Sequence, residues 1–171
     1  MAYYAEKREI KEKEEWASAP RIVHHKQMYL TKLLPPGADL TDAYGVRTAV
    51  FVNEQGFSSE LEIDDIDRSA YHIVMFEGGK PIATGRVFVD SQDKSTYIIG
   101  RVAVLKKYRS QGVGFKLMGK LEECAKSLGG TQVVLGAQMH AVPFYEKNGY
   151  TAFGEEYMEE HCPHIHMRKT L

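Results

Sequence analysis

The stretch RVAVLKKYRSQGVGFKLM, residues 101–118, decides how this chain folds. It opens with a short run of β-branched and apolar residues typical of a strand, and it ends in a helix whose apolar side chains recur at helical spacing from Leu117 onward. Arg109, Gly112 and Gly114 lie between the two. The first amides of a helix have no backbone acceptor, and the helix dipole is positive at that end. The stretch therefore predicts a strand, a loop and a helix, with an anion such as a phosphate bound at the loop.

Glycine spacing separates this loop from two better-known phosphate loops. A Walker loop requires G-x-x-x-x-G-K-[ST], and a dinucleotide fingerprint requires G-x-G-x-x-G. Here the glycine that follows Gly114 is Gly119, deep in the predicted helix, so neither pattern fits. For the glycine pair taken alone, an ordinary turn remains the alternative.

Composition limits the kinds of partner that the protein can have. The chain has 171 residues, a length that suits one domain. Its 22 basic and 23 acidic residues give a formal charge of −1, which gives no sign of a nucleic-acid or membrane partner. Cys124 and Cys162 form neither a disulfide framework nor a paired metal motif. With no secretory signal and no membrane-spanning run, the sequence predicts a cytoplasmic protein.

Periodicity and turn residues divide the chain into a charged N-terminal arm, residues 1–19, and a single domain, residues 20–171. Three consecutive strands in the domain predict an antiparallel meander, and the crossover through the long helix after them predicts a parallel pair. The predicted elements are, in chain order, strand 21–34, helix 41–55, the acidic loop ELEIDDID, strands 71–76, 81–89 and 97–104, helix 114–128, strand 131–135, helix 141–147, and strands 150–153 and 165–169.

Several motifs carry a resemblance to a known family. The loop R-x-x-G-x-G, from Arg109 to Gly114, and the segment AQMHAVPFYEKNGY are similar to the GNAT superfamily of acyl-CoA-dependent N-acetyltransferases. VFVNEQG and DDIDRSAYH resemble its small bacterial ElaA/YjcF-type branch. The resemblance covers residues 30–169, nearly all of the chain beyond the arm. It implies an α/β (α+β) fold, in which a twisted, mixed, mostly antiparallel sheet has helices on both faces and a splayed parallel strand pair that admits acetyl-CoA.

The resemblance also implies an enzyme that moves an acetyl group from acetyl-CoA to a primary amine, in a small molecule or a peptide, through a direct ternary complex. Acetyl-CoA is the implied cosubstrate, no metal is expected, and a homodimer is compatible with the fold. A non-catalytic acyl-CoA-binding or regulatory module is the alternative. The implied cofactor residues are Arg109, Ser110, Gln111, Gly112, Val113 and Gly114 for the pyrophosphate, Val102, Ala103 and Val104 for the pantetheine and acetyl groups, and Gln138 for a further polar contact.

Acetyl transfer to an amine requires that the amine lose a proton, that the oxyanion be held, and that the departing thiolate be protonated or tolerated. The resemblance places Tyr145 near the thioester sulfur as the general acid; the alternative is a core aromatic residue beside Phe144. Glu54 and His72 lie in segments that flank the acceptor cleft in relatives, and both are candidate general bases. The alternatives are a solvated charge at a helix end for Glu54, a satisfied sheet histidine for His72, and entry of a neutral amine that needs no protein base.

Two polar segments have open alternatives. ELEIDDID has five carboxylates beside a single nearby Arg68, so it either attracts a cationic acceptor or is a solvated loop. HCPHIH contains His161, Cys162, His164 and His166, and alternation in a strand would place His164 and His166 on one face. A metal site, a Cys162 acyl carrier and a plain edge strand are its three interpretations.

Overall fold

The computed structural model describes residues 28–171. The predicted arm, residues 1–19, and the first part of the strand predicted from residue 21 lie outside these residues. The described elements are β1 Leu30–Leu34, α1 Thr41–Arg47, continued by a π-helical segment Thr48–Glu54, α2 Ser59–Glu62, a 3₁₀ turn Asp65–Arg68, β2 Tyr71–Glu77, β3 Lys80–Val89, β4 Thr96–Val104, a 3₁₀ turn Lys106–Tyr108, α3 Val113–Ser127, β5 Gln132–Gln138, a 3₁₀ turn Met139–Ala141, α4 Val142–Lys147, β6 Thr151–Glu159 and β7 Cys162–Thr170.

The strands form one mixed sheet in the order β1-β2-β3-β4-β5-β7-β6. Every neighbouring pair is antiparallel except β4 and β5, which are parallel and are joined through α3. The meander, the crossover and the mostly antiparallel sheet expected from the sequence are confirmed. The last two strands are longer than predicted, because β6 continues past a wide bulge between Phe153 and Tyr157.

The parallel pair is splayed. β4 and β5 pair only from Thr96 and Gln132 to Ile98 and Val134, although both strands continue beyond these residues. Against β3, β4 carries one extra residue, because Thr84 pairs with Ala103 whereas Arg86 pairs with Gly100. Arg101, at this bulge, has a φ of 51°, in the left-handed region. A bulge bends its strand, so β4 turns away from β5 and the edge of residues 102–104 that faces β5 is left without a ladder.

Helices cover both faces of the sheet. On one face, Leu117 and Leu121 of α3 pack in the main core with Ile99 and Leu135, and Gly85 of β3 lets the helix approach closely. A Cβ at Gly85 would lie 2.6 Å from Leu121 Cδ1. On the other face, Ala43 of α1 packs against Val74 and Phe76 of β2.

The predicted first helix is continuous but changes its hydrogen bonding at Thr48, where a π-helical segment begins. Such segments arise where a residue is inserted into a helical turn, and they are frequent at functional sites. Here the segment ends beside the β4 bulge, since Val50 packs against Ala103. The π-helical segment therefore places the residues that follow it, including Gln55, beside the β4–β5 gap.

A buried ion-pair network connects these elements, and it corrects the prediction for ELEIDDID. Arg47 Nε of α1 lies 2.5 Å from Glu62 Oε1, and its Nη1 lies 2.7 Å from Asp67 Oδ1. Arg86 of β3 donates to both oxygens of Asp64, at 2.6 and 2.8 Å, and to Asp67 Oδ1 at 2.8 Å. Glu62 and Asp67 are buried. Three of the five carboxylates in the segment are therefore held by arginine, whereas Glu60 and Asp65 are exposed.

Arg101 completes the network from the bulge of β4. Its Nε lies 3.1 Å from Glu62 Oε2 and its Nη2 lies 3.3 Å from Asp64 Oδ2. Three guanidinium groups are thus matched by three carboxylates, and the acidic segment is attached to α1, β3 and β4 at once. Paired, hydrogen-bonded charges are the form in which ionised groups are tolerated in a protein interior.

The network makes stability depend on pH. Burial tends to raise the pKa of Asp67, but hydrogen bonds from Arg47 and Arg86 outweigh it, and the pKa is lowered; at Asp64, burial is likewise outweighed by Arg86. A carboxyl group with a lowered folded-state pKa stabilises the fold above its unfolded pKa, and this contribution is lost as the pH falls through the folded value. The contribution of the network therefore declines on acidification below about pH 4.

We expect Asp67→Asn to lower the free energy of unfolding by about 3–5 kcal/mol, because it leaves buried arginine charge uncompensated. Urea denaturation at neutral pH measures the change. Asp65→Asn is the matched control, since Asp65 is two residues away and exposed, and its effect should stay within about 0.5 kcal/mol. Equal effects of the two substitutions would contradict a stabilising role for the network.

Candidate active site

A cleft of about 1460 Å³ opens where β4 and β5 separate. Its lining includes Ala103 and Leu135 from the strands on either side of the gap. It also includes Tyr145, which packs in the core on the α3 side of the sheet, and His164, whose position on β7 points to the opposite face. The cleft therefore passes through the sheet, so that one ligand can approach from each face and meet the other in the gap.

The glycine loop forms one end of the cleft. Ser110, Gly112 and Gly114 line it, while Gln111 donates its side-chain amide to the Lys107 carbonyl oxygen and Val113 is buried in the core. Gly112 has a φ of 76° at the start of α3, and no side chain caps the helix. The uncapped amides of the first turn thus face the cleft with the positive end of the dipole. Val113 can contribute to an anion site only through its backbone, and one side-chain N–H of Gln111 is already used.

Gly114 is required by close packing at the same end. A Cβ on this residue would lie 3.1 Å from Phe144 Cζ and 3.8 Å from Val104 Cγ2. The start of α3 therefore contacts α4 and the end of β4 directly. This contact fixes the glycine loop relative to the short helix that carries Tyr145.

Arg109 and Glu54, predicted for different roles, form a pair. Arg109 donates from Nη1 and Nη2 to the two Glu54 oxygens at 2.5 and 2.8 Å, and from Nε to the Val104 carbonyl oxygen at 2.9 Å. The hydrogen bond from Arg109 lowers the pKa of Glu54, which makes this carboxylate a weak base. Among the described residues, Arg109 lines the cleft and Glu54 does not. The geometry favours Glu54 as the residue that orients Arg109.

His72, the other candidate base, lies inside the buried network. Its Nε2 lies 3.1 Å from the Asp67 carbonyl oxygen, and only 1% of the residue is exposed. Burial lowers the pKa of His72, so the ring is neutral at neutral pH. The described residues that line the cleft do not include it. In this position the His72 side chain packs against the acidic segment through the Asp67 carbonyl oxygen.

Tyr145 lies in the wall of the cleft between two aromatic rings. Its ring contacts Phe144 at a centroid distance of 5.0 Å and Tyr150 at 5.9 Å, both edge to face. It is 8% exposed, and burial alone raises the pKa of its phenol well above the usual value. The hydroxyl therefore keeps its proton at neutral pH and can act as a donor. The ring packs as a core aromatic residue does, and it also lines the cleft, so its role as a general acid stays a prediction.

Polar contacts bridge the cleft beside the gap. Gln138, the last residue of β5, donates to Gln55 Oε1 at 2.8 Å. Gln55 also accepts from His161 through its carbonyl oxygen at 2.9 Å, assigned from the geometry of the pair. The Ser58 amide donates to the Glu160 carboxylate at 3.1 Å. The β6–β7 turn thus closes over the segment that follows the π-helical turn.

The opposite end of the cleft is lined by rings that the sequence interpretation did not assign to the site. Tyr157 stacks on His164 and His166 at centroid distances of 5.6 and 4.7 Å, and Phe153 stacks on His166 at 5.8 Å. Phe57 contacts His161 at a centroid distance of 4.8 Å, with the two rings tilted by 39°. Alternation along the strand predicts that His164 and His166 lie on the same face of the sheet. Tyr157 and Phe153 lie beside them because β6 pairs with β7, which the sequence alone does not indicate.

HCPHIH does not form a metal centre in the part of the chain that the structure describes. Among residues 28–171, no group of three or more histidine, cysteine, aspartate or glutamate side chains is arranged to hold a metal ion. His161 is engaged with Gln55, and His164 Nδ1 with the Cys162 carbonyl oxygen at 2.9 Å. No helix among these residues is long and apolar enough to cross a bilayer.

Known proteins are similar to this chain in sequence and in fold. Residues 40–171 match the acetyltransferase (GNAT) domain family. YjcF of Bacillus subtilis, described as an uncharacterized N-acetyltransferase, is 42% identical over 132 residues, which cover 76% of this chain and 91% of YjcF. ElaA of Escherichia coli is 32% identical over 151 residues, 87% of this chain and 94% of ElaA.

Solved structures agree with these relatives. The crystal structure of Escherichia coli ElaA superposes with a TM-score of 0.73 at 32% identity, covering 83% of this chain and 99% of ElaA. An acyl-CoA N-acyltransferase from Pseudomonas aeruginosa superposes with a TM-score of 0.74 at 28% identity, over 83% of this chain and 99% of that protein. The chain therefore belongs to the GNAT acetyltransferase family.

Proposed function

We propose that this protein transfers an acetyl group from acetyl-CoA to a primary amine in a direct ternary complex. The observation that carries the proposal is the cleft through the splayed β4–β5 pair, with uncapped helix amides at one end and a protonated phenol in its wall. Membership of an acyl-CoA-dependent family supports the cosubstrate. The approach from two faces supports direct transfer, because both substrates can occupy the gap together.

The glycine loop is the proposed site of the pyrophosphate. The amides of Gly112, Val113 and Gly114 supply donors without side-chain bulk, and the α3 dipole adds positive potential. Arg109 is anchored by Glu54 and by the Val104 carbonyl oxygen, so its guanidinium stays at the rim of the loop. Glu54 offsets part of that charge, and the backbone amides therefore carry much of the attraction for the anion.

The pantetheine arm is proposed to lie along residues 102–104. Since the β4 bulge leaves this edge without a strand partner, its backbone groups can pair with the amides of the arm as an added strand would. Ala103 is held from behind by Val46 and Val50 of the first helix, which keeps the edge in place. Gln138 faces the same gap from β5 through its contact with Gln55.

Tyr145 is the proposed proton donor to the thiolate. Because burial raises its pKa, the phenol stays protonated until negative charge develops on the sulfur. A hydrogen bond from a buried donor stabilises such charge more strongly than water does, because the local dielectric constant is low. The proposal uses neither Glu54 nor His72 as a base, since the Glu54 carboxylate is paired with Arg109 and His72 is buried against the Asp67 carbonyl oxygen.

A non-catalytic acyl-CoA-binding module is the second candidate, and the packing of Tyr145 between Phe144 and Tyr150 favours it. In such a module the cradle would bind acyl-CoA while Tyr145 only filled the core. The cytoplasmic location and the homodimer expected from the sequence stay predictions.

We expect the protein to bind acetyl-CoA and free CoA in a calorimetric titration, and we expect Gly112→Asp to abolish this binding. The aspartate would place a negative charge at the first turn of α3, where the pyrophosphate is proposed to bind. Gly119→Asp is the matched control, because it adds the same charge on the same helix at a position with open space around its Cβ. If the wild-type protein binds neither acetyl-CoA nor CoA, the proposed cosubstrate is wrong, and the proposed function is wrong with it.

We expect Tyr145→Phe to lower kcat by roughly 10²-fold or more while acetyl-CoA affinity is retained, because general acid catalysis typically contributes 10²–10⁴-fold. The assay follows CoA release with a panel of amines comprising spermidine, glucosamine, a lysine-containing peptide and benzylamine. Tyr150→Phe is the control: its hydroxyl donates to the Glu122 carboxylate at 2.9 Å, and its loss should lower stability by about 1.5–3 kcal/mol and leave kcat unchanged. Unchanged turnover in Tyr145→Phe would favour the binding module.

A further inference from the structure

We propose that the ring-lined end of the cleft binds an acceptor amine carrying an aromatic group, and that His164 Nε2 takes the proton from that amine. The inference rests on the proposed function and deepens it, because it names the acceptor class and the base that Glu54 and His72 do not supply. Its basis is the position and orientation of His164 and the apolar surface around it.

The lining of this end matches an aromatic ligand. Phe57, Phe88, Phe153 and Tyr157 contribute rings to it. Leu61 and Met158 line it as well, and they are 64% and 63% exposed, so apolar surface is left uncovered at the entrance. An aromatic acceptor would cover this surface, and an ammonium group over a ring face would be held by cation–π attraction before it loses its proton.

His164 has the orientation of a base. Its Nδ1 lies 2.9 Å from the Cys162 carbonyl oxygen, which can only accept, so Nδ1 carries the proton and Nε2 has the free electron pair in the neutral ring. Nε2 lies 3.5 Å from Glu159 Oε2, where a carboxylate stabilises the imidazolium that forms. The residue is only 5% exposed, and Tyr157 stacks on its ring.

The sheet places His164 next to the gap. It pairs in register with Gln138 of β5, the strand that borders the gap. Adjacent strands are about 5 Å apart, so a side chain on β7 reaches the edge of the gap from the face opposite Tyr145. The groups facing the His164 ring are Glu159 and Tyr157 from β6, Gln138 from β5, and His166 on the same strand and face.

Other ionisable groups in the described lining of the cleft are less suited to this step. Glu62 is bound by Arg47, Glu160 by the Ser58 amide, and Asp90 by the amides of Gln92 and Asp93. His140 and His166 are exposed. His164 combines burial, a fixed tautomer and a carboxylate beside the free nitrogen.

The protons balance in the proposed step. The ammonium gives one proton to His164 Nε2, the nitrogen pair attacks the thioester carbon, and the C–S bond breaks with its electrons on sulfur. Tyr145 protonates the sulfur, and the second proton lost from the nitrogen returns to the tyrosinate. The imidazolium releases its proton to water, so the products are the amide, CoA thiol and one proton.

The test uses two probes of nearly equal shape. Benzylamine is an ammonium ion at neutral pH and needs a base, whereas the terminal nitrogen of phenylhydrazine is already neutral. We expect wild-type protein to acetylate both. We expect His164→Asn, which keeps a donor for the Cys162 carbonyl oxygen, to lose about 10²-fold or more in kcat/KM for benzylamine and far less for phenylhydrazine. Added imidazole should restore part of the benzylamine rate.

His166→Asn is the matched control, two residues along the same face, and it should keep the wild-type ratio of the two rates. Glu159→Gln, at an exposed position, should lower that ratio and serves as the second variant if His164→Asn does not fold. An unchanged ratio in the folded His164 variant, or in Glu159→Gln if that variant must be used, would overturn His164 as the base.

If wild-type protein acetylates spermidine, glucosamine or the lysine peptide but acetylates neither benzylamine nor phenylhydrazine, the aromatic subsite is overturned and the proposed function stays intact. Failure of the wild-type protein to bind acetyl-CoA would overturn both the aromatic subsite and the proposed function. Acetylation of benzylamine in preference to the other panel amines, together with the loss in His164→Asn, is the result that supports the inference.

Discussion

The buried arginine–carboxylate network is the interaction on which the rest of the structure depends. Arg101 adopts a left-handed backbone conformation that costs about 1–2 kcal/mol for a residue with a Cβ, and its side chain is held by Glu62 and Asp64. The bulge that opens β4 away from β5 is therefore tied to the acidic segment, which Arg47 and Arg86 fix to α1 and β3. Because charge is balanced within the network, removal of one partner leaves another buried and unpaired. The cleft thus depends on electrostatic contacts made outside it.

The cleft has chemically distinct ends, and the proposed anion site at one of them does not require a positively charged chain. At the proposed cofactor end, attraction would come from oriented amides and the α3 dipole, and Arg109 is partly compensated by Glu54. At the other end, rings and exposed apolar side chains dominate. The formal charge of −1 over the whole chain gives no hint of either end. Local dipoles and packing determine what each end binds, and both are set by strand register and helix position.

Much of the fold could be predicted because its signals are local. Gly112 and Gly114 mark the start of α3 by their own conformation and packing, and the alternation in β2–β4 and the stripe on α3 each fit within one element. The failures involve long-range partners. ELEIDDID was interpreted beside Arg68, its neighbour in sequence, whereas Glu62 and Asp67 pair with Arg47 and Arg86 from other elements. The pairing of Glu54 with Arg109 spans 55 residues, and the π-helical turn has no sequence signal of its own. For His164 the sequence offers a metal ligand or a place in a plain edge strand, since its contact with the Glu159 carboxylate forms only with the β6–β7 hairpin.

The two proposed proton-handling groups lie on opposite faces of the sheet, and this separation favours direct transfer over a covalent intermediate. Tyr145 packs with α3 residues on one face, and burial keeps its proton in place. His164 lies on the other face, with its free nitrogen fixed by a carbonyl oxygen on the opposite side of the ring. A Cys162 acyl carrier would require a thiolate, but burial and the charge of Glu159 raise the pKa of this thiol. A thiol held in its protonated form is a poor nucleophile, which favours the proposed direct attack of the acceptor nitrogen on the thioester over an acyl-cysteine intermediate.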